Sequence, residues 1–293
     1  MSKWIFDEKA TKTRYSKLKR YYDKHHLNAE NFDCKYFAKC LKSQPKGVKM
    51  QYAGGTSGLS PYYDAQYKKK NVRVLVVGKE AGYMTSEQYG TSKNFDYRSN
   101  ILLKRIYGGR NNHIQGTLIT LQRIFQVDTN YIYASYALSN ALRCAFQSAH
   151  NFHCRTAVKD TILMRKNCFQ YLADEIKILE PTILITQGAW AIQDRLSFVQ
   201  RLANALGTEI KPLRTLKVSQ SREYGLYEFP NFMCITTHHP SRLAQWKANY
   251  APHSLWPMIE QLRKMNYLPT FEQNASTEYE KLVRPTIDKM FDE

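Results

Sequence analysis

The sequence predicts an α/β protein: one three-layer α/β/α domain around a central, mainly parallel four-stranded sheet, preceded by a basic N-terminal helical extension. Three observations predict it. Four short β-prone runs, at 72–77, 131–138, 182–186 and 231–237, are separated by stretches with helical periodicity. Strands that alternate with helices form a parallel sheet covered on both faces. Each run then ends in polar or small residues: Gly78-Lys-Glu-Ala-Gly-Tyr83, Asn140-Ala-Leu-Arg-Cys144, Gln187-Gly-Ala189 and His238-His-Pro-Ser-Arg242. The carboxyl ends of strands are where an open α/β sheet builds its site. The ends offer a carboxylate, an amide and a histidine, groups able to hydrolyse a bond and to read the edge of a base.

The elements follow in order. Residues 1–30 carry Lys and Arg at short intervals, with Tyr15, Leu18, Tyr22 and Tyr21 at helical spacing, which reads as an amphipathic basic helix. Residues 45–70 are rich in Gly, Ser, Pro and Tyr and read as loop. Strand 72–77 leads through a loop and helix to about 126, and strand 131–138 follows. In the helix expected over 158–179, Cys168, Leu172, Ile176 and Leu179 make one inward stripe. Strand 182–186, a helix over 189–205 closed by Gly207, strand 231–237 and a helix over 254–265 complete the alternation. The chain from Leu268 turns acidic and polar, as a loosely packed tail would. The expected division is therefore 1–70 for the extension and loop, 71–267 for the α/β domain and 268–293 for the tail.

Composition narrows the function. The 293 residues include 43 Lys and Arg against 25 Asp and Glu, a net charge of +18. Such a surplus favours a polyanionic partner, nucleic acid above all. Tyr is abundant and sits beside basic residues, as in Lys19-Arg-Tyr-Tyr22 and Tyr67-Lys-Lys-Lys70. That pairing suits phosphate neutralisation combined with base stacking, and equally suits tyrosines packed at a half-buried surface. No apolar run is long enough to cross a membrane, and Met1 to Glu8 lacks a signal-peptide apolar region. An intracellular, cytoplasmic monomer without a membrane partner is expected. No Gly-x-Gly-x-x-Gly or phosphate-loop lysine follows a strand, which argues against a nucleotide-cofactor enzyme.

Taken together in this order and spacing, these segments resemble the uracil-DNA glycosylase superfamily over residues 70–265, most closely its iron–sulfur branch. His239-Pro240-Ser241 resembles the family's His-Pro-Ser loop, Gly78–Gly82 its water-activating loop, and Asn140 its base-reading asparagine. The segment from Leu179 to Ala191 resembles its third helix-to-strand passage. The resemblance implies a DNA glycosylase acting on duplex or single-stranded DNA, with Glu80 as the carboxylate that positions water and Glu87 as a second candidate. Glycosidic cleavage needs such a group beside its oxocarbenium-like state. It implies His239 as the donor to the departing base, and Asn140 as the reader of a flipped pyrimidine. Phe95 would stack on the base, with Tyr83, Tyr89 and Tyr97 as rivals. Pro240 and Ser241 would pinch a phosphate, and Arg242 and Leu243 would fill the hole left by the flipped nucleotide. The loop diverges from the family, with Lys79 and Ala81 where the iron–sulfur branch keeps glutamate and proline. Gly82 replaces the tyrosine that blocks C5 substituents in the strict uracil enzymes. A uracil or a modified pyrimidine is thus the expected substrate, in repair or in defence against viruses with modified DNA. A catalytically silent DNA-binding member of the fold is the alternative.

The chain has six cysteines, and a disulfide frame is not expected inside a cell. Cys144 and Cys168 resemble cluster ligands of the iron–sulfur branch, and Cys34 with Cys40 stand where that branch keeps an N-terminal pair, spaced more widely here. Four thiolates are the ligand set of a 4Fe–4S cluster. Zinc held by His150, His153 and Cys154 with a fourth ligand, and free buried thiols, are the other readings. Cys234 falls within a strand and belongs to the core.

Overall fold

The computed structural model describes residues 2–28, 32–43, 48–52, 58–78, 112–148, 158–188, 197–219 and 222–292. In chain order these form β1 (Trp4–Phe6), α1 (Glu8–Lys24), α2 (Phe37–Lys42), β2 (Val48–Tyr52), β3 (Gly58–Leu59), β4 (Ala65–Tyr67), β5 (Lys70–Asn71) and β6 (Val74–Gly78). Then come α3 (Asn112–Phe125), β7 (Tyr136–Asn140), β8 (Cys144–Ser148), α4 (Val158–Leu179), β9 (Ile183–Gln187) and α5 (Phe198–Leu206). The hairpin β10 (Lys211–Ser219) and β11 (Arg222–Phe229) leads to β12 (Phe232–Thr237). A π-helical stretch (Trp246–Leu255), α6 (Trp256–Lys264) and α7 (Ala275–Asp292) close the order.

The main sheet is a seven-stranded mixed sheet, in the order β10-β11-β12-β9-β6-β7-β3, rather than the four strands expected. Its centre, β12-β9-β6-β7, is parallel throughout. The additions are antiparallel edges: β3 beside β7, and the β10–β11 hairpin beside β12. The central strands alternate faces with period two. Val74, Val76, Ile183, Ile185, Met233 and Ile235 pack into one core with α3, α6 and α7. Leu75, Val77, Leu184 and Cys234 pack into the other with α1, α4 and α5. Both faces are buried, which is why these strands read as near-continuous apolar runs.

The chain runs from β6 to β7 on one side, then returns to β9 on the other side of β6. The crossover containing α3 lies on one face and that containing α4 on the other. The switch in direction opens a crevice at the carboxyl ends of β6 and β9, where ligands of such sheets bind.

The expected strand 131–138 is a 3-10 turn over Asn130–Ser135 followed by β7. Thr129 caps that turn by accepting from the Tyr131 amide. α5 opens with a reciprocal capping box between Ser197 and Gln200, and Gly207 ends it in the left-handed conformation that favours glycine.

Both chain ends are built into the fold. α1 buries Leu18 and Tyr22 in the α4-side core, and its Arg14 bonds Asp64, the Ile178 carbonyl and Glu180. Its outer face carries Lys9, Lys12, Lys17, Arg20 and Lys24, all exposed. The segment after Leu268, expected to be loose, is the helix α7 packed through Ala275, Tyr279, Val283 and Ile287. Those residues recur every fourth position. The charges between them and Pro285 obscured the stripe.

Candidate active site

The carboxyl ends of the four parallel strands place Gly78, Asn140, Gln187 and Thr237 at equivalent depth, because Gly78 pairs with Asn140 and Gln187 pairs with Thr237 in register. Strand alternation puts all four on the α3 face. Asn140 and the segment after Thr237 stand on the outer two of these strands, roughly 14 Å apart at three strand spacings. Both lean inward over glycines. A Cβ on Gly78 would lie 2.8 Å from Asn140 Oδ1. On the other side, Gly188 (φ +116°) holds a conformation few side chains tolerate, and a Cβ there would lie 3.7 Å from His239 Cβ. Neither glycine therefore places a side chain against the Asn140 amide or His239.

Asn140 is anchored from the opposite face. Arg143 Nη1 donates to the Asn140 carbonyl (3.0 Å), and Arg143 Nη2 pairs with Glu175 Oε1 (2.7 Å). Both charged side chains are 0 % exposed. Glu175 also accepts from Ser139 Oγ (2.8 Å) and from Tyr22 Oη of α1 (2.7 Å). Burial works against the Arg143 charge, but Glu175, Tyr22 and Cys168 together hold the guanidinium above its ordinary pKa. A buried ion pair is sustained only when its remaining donors and acceptors are also used, and Ser139, Tyr22 and the Asn140 carbonyl serve that purpose.

His239 is held differently. The Ser241 amide donates to its Nδ1 (3.0 Å), so the neutral ring carries its proton on Nε2 and can donate from there. The ring stacks on His113 of α3, with centroids 4.8 Å apart and planes 14° apart. One edge stays open to solvent, and the desolvated remainder lowers its pKa. Burial, then His239 itself, brings His113 down to about 4, against a smaller opposing effect of Gln187. Gln187 Nε2 donates to Thr117 Oγ1 (3.0 Å), and Thr117 Oγ1 donates to the His113 carbonyl (3.0 Å).

The loop is pressed against α3. A Cβ on Gly116 would come within 2.3 Å of Pro240 Cβ, so only glycine lets the helix approach so closely. Asn112 Nδ2 donates to the Ser241 carbonyl (2.8 Å). His238 turns away from the crevice into two tyrosines, stacked on Tyr250 (3.9 Å, 10°) and tilted against Tyr224 (4.0 Å). Arg242 is exposed at the rim, and Leu243 is half-buried against the α3-side core.

Of the residues expected in the site, the fold brings Asn140, His239, Pro240 and Ser241 to one edge of the sheet. Glu80, Glu87, Gly82, Phe95 and the rival tyrosines Tyr83, Tyr89 and Tyr97 lie outside the described residues, as do His150, His153 and Cys154. His113, Gln187 with Thr117, Gly116 and the Arg143–Glu175 pair were not anticipated as site residues. Gln187 stood at a strand end and was legible there. His113, a lone histidine in the first turn of a helix, gave no signal.

Cys34, Cys40, Cys144 and Cys168 are all buried in the α4-side core, and all are free. Burial first, and then the neighbouring thiols, pushes Cys168 up to about 12 and Cys144 well above its ordinary value. Cys40 is raised by burial and by Cys34, against a bond from Asn167 Nδ2 (3.2 Å). Cys34 Sγ meets Tyr171 Oη at 3.5 Å. Thiols that influence one another in this way are gathered in one place. Even so, no three His, Cys, Asp or Glu side chains among the described residues stand as a formed metal-binding group. Cys234 is core, fully buried in β12.

The carboxyl ends of the parallel strands thus carry the Asn140 amide on one side and the His239 imidazole, followed by Pro240 and Ser241, on the other. The family model of the uracil DNA glycosylase superfamily matches residues 65–264, about two thirds of the chain. The chain belongs to that superfamily, whose members are in general DNA glycosylases acting on DNA. No curated protein matches the chain. No helix among the described residues is long and apolar enough to cross a membrane.

Proposed function

We propose that the protein is a monofunctional DNA glycosylase that flips out a uracil or modified pyrimidine nucleotide and hydrolyses its N-glycosidic bond. The observation that carries this reading is His239 as a neutral imidazole with Nδ1 occupied by the Ser241 amide, which leaves Nε2–H for the departing base. When the C1′–N1 bond breaks, its electron pair stays on the base, and the charge collects on O2. A fixed donor there stabilises the transition state more than the ground state. The Asn140 amide, which donates and accepts, reads the base edge. By family resemblance Glu80 receives the proton of the water that adds to C1′, Phe95 stacks on the base, and Gly82 leaves room at C5. Pro240, Ser241, Arg242 and Leu243 contact the backbone and the gap in the stack. The exposed basic face of α1 adds phosphate contacts.

The four cysteines match a 4Fe–4S ligand set in number, type and burial, without standing as a formed metal-binding group among the described residues. Cys34, Cys40, Cys144 and Cys168 would hold it, and it would tie α2, β8 and α4 together structurally while lowering the thiol pKa values that burial raises. Protein prepared without oxygen should then contain iron and absorb visible light, and Cys168→Ser should abolish both. Colourless, iron-free wild type removes the cluster.

The activity itself is tested with duplexes carrying uracil, hydroxymethylcytosine or glucosylated hydroxymethylcytosine, followed by alkaline cleavage at abasic sites. Cleavage on one of them is expected. Tight binding with no cleavage on any would favour the silent DNA-binding reading.

A further inference from the structure

We propose that His113 is a positioning residue: its ring, carried on a helix tied to β9 through Gln187 and Thr117, covers one face of His239 and holds that imidazole as an oriented, neutral donor. This rests on the glycosylase reading for its purpose, and on geometry alone for its mechanism.

His239 is fixed at two points. The Ser241 amide fixes the tautomer, but a single hydrogen bond to Nδ1 leaves the ring free to swing about that contact. The stack on His113 removes this freedom and keeps water from one face. His113 is itself fixed through its helix. The chain from Gln187 Nε2 through the Thr117 hydroxyl to the His113 carbonyl ties β9 to the first turns of α3. The close approach of Gly116 to Pro240 locks the same helix against the histidine's own loop. The loop and the stacking ring thus cannot move independently.

Among the described residues, nothing around His239 favours an imidazolium. The groups facing it are His113 from α3, Asn112 bonded to the Ser241 carbonyl, Gly188 at the end of β9, and its chain neighbours His238 and Arg242. His238 is occupied between Tyr224 and Tyr250, and Arg242 is exposed. Burial lowers the pKa of His239, and burial followed by His239 lowers that of His113. A carboxylate stacked where His113 sits would instead stabilise the charged ring. A charged His239 could still donate, but Nδ1 would then lose the Ser241 bond that aims it.

The test is nitrogen-15 NMR of the imidazoles in full-length protein across pH, for wild type, His113→Ala and His113→Phe, with single-turnover excision rates measured in parallel. Wild-type His239 is expected as the Nε2–H tautomer titrating below 6.5. In His113→Ala its titration should move up toward 6.5 with tautomer mixing, and the acid limb of the rate profile should move with it. His113→Phe keeps a flat ring in place and should preserve both. An unchanged His239 titration and tautomer in folded His113→Ala overturns the proposal, as does His113→Phe behaving like His113→Ala. Should the NMR changes occur while no substrate is cleaved by wild type, His113 still positions His239 and it is the glycosylase reading that fails.

Discussion

The two walls of the crevice are built on opposite physical principles. The Asn140 wall rests on a buried ion pair, Arg143 with Glu175, whose other bonds go to Tyr22, Ser139 and the Asn140 carbonyl. The His239 wall has no ion pair among the described residues and is held by stacked neutral rings, a glycine–proline contact and amide bonds. Under the proposed function the difference follows from what each group would do. An amide reads a base without changing charge, so strong fixed charges behind it only stiffen it. An imidazole near its titration range must remain neutral, and a charge behind it would set its protonation state.

This contrast can be broken most severely on the Asn140 side. Glu175→Ala leaves the Arg143 guanidinium buried without its partner, and loss of about 3–5 kcal/mol in urea unfolding is expected. Replacing both residues with Met should cost clearly less. Equal losses from the single and double variants would mean that the pair is not the anchor.

Two glycines separate the walls next. Gly116→Ala drives a methyl into Pro240 and should cost about 1–3 kcal/mol through overpacking, together with most of the excision activity. Gly78→Ala meets only the end of the Asn140 side chain. It should leave unfolding nearly unchanged while impairing discrimination between bases. The reverse pattern would contradict the assignment of the two sides.

Acid sharpens the comparison further. Folded His113 titrates at about 4, below its ordinary 6.5, so the unfolded chain takes up a proton that the fold refuses. Its effect is absent above 6.5, and stability should fall as pH drops from 6.5 toward 4, at up to about 1.4 kcal/mol per pH unit. Glu272, held down to about 2 by Lys3 and then Lys68, contributes stability that is lost only below its ordinary 4.5. Urea midpoints at pH 7 and pH 5 should therefore differ in wild type and differ less in His113→Phe, where the lowered His239 and His25 still contribute.

The smallest effect lies outside both walls. Replacing Lys12, Lys17, Arg20 and Lys24 by Gln should flatten the slope of log affinity against log salt by about 0.9 for each phosphate left without its cation. Removing α1 altogether is the wrong comparison, since Leu18 and Tyr22 belong to the core and Tyr22 bonds Glu175.

Much of the fold was legible because the four parallel strands are buried on both faces and bounded by turn residues. The β10–β11 hairpin was not anticipated, since Lys211, Arg214 and Lys217 leave its edge strand without an apolar run. α7 hid its stripe of Ala275, Tyr279, Val283 and Ile287 behind charge and Pro285. Among the proposed site residues, Asn140 ends a strand and His239 follows one by two residues, which made both visible in the sequence. Arg143 and Glu175 come from different elements, and no local pattern links them. His113 is recognisable only once α3 is laid against the His-Pro-Ser loop.

The most direct measurement compares single-turnover excision and DNA binding for wild type, Asn140→Ala and His239→Ala on whichever substrate the wild type cleaves. Both variants should bind DNA like wild type and lose roughly a hundredfold or more in rate, with His239→Ala losing it uniformly across bases and Asn140→Ala losing base discrimination as well. Full-rate excision by either variant would contradict a site formed by these two walls.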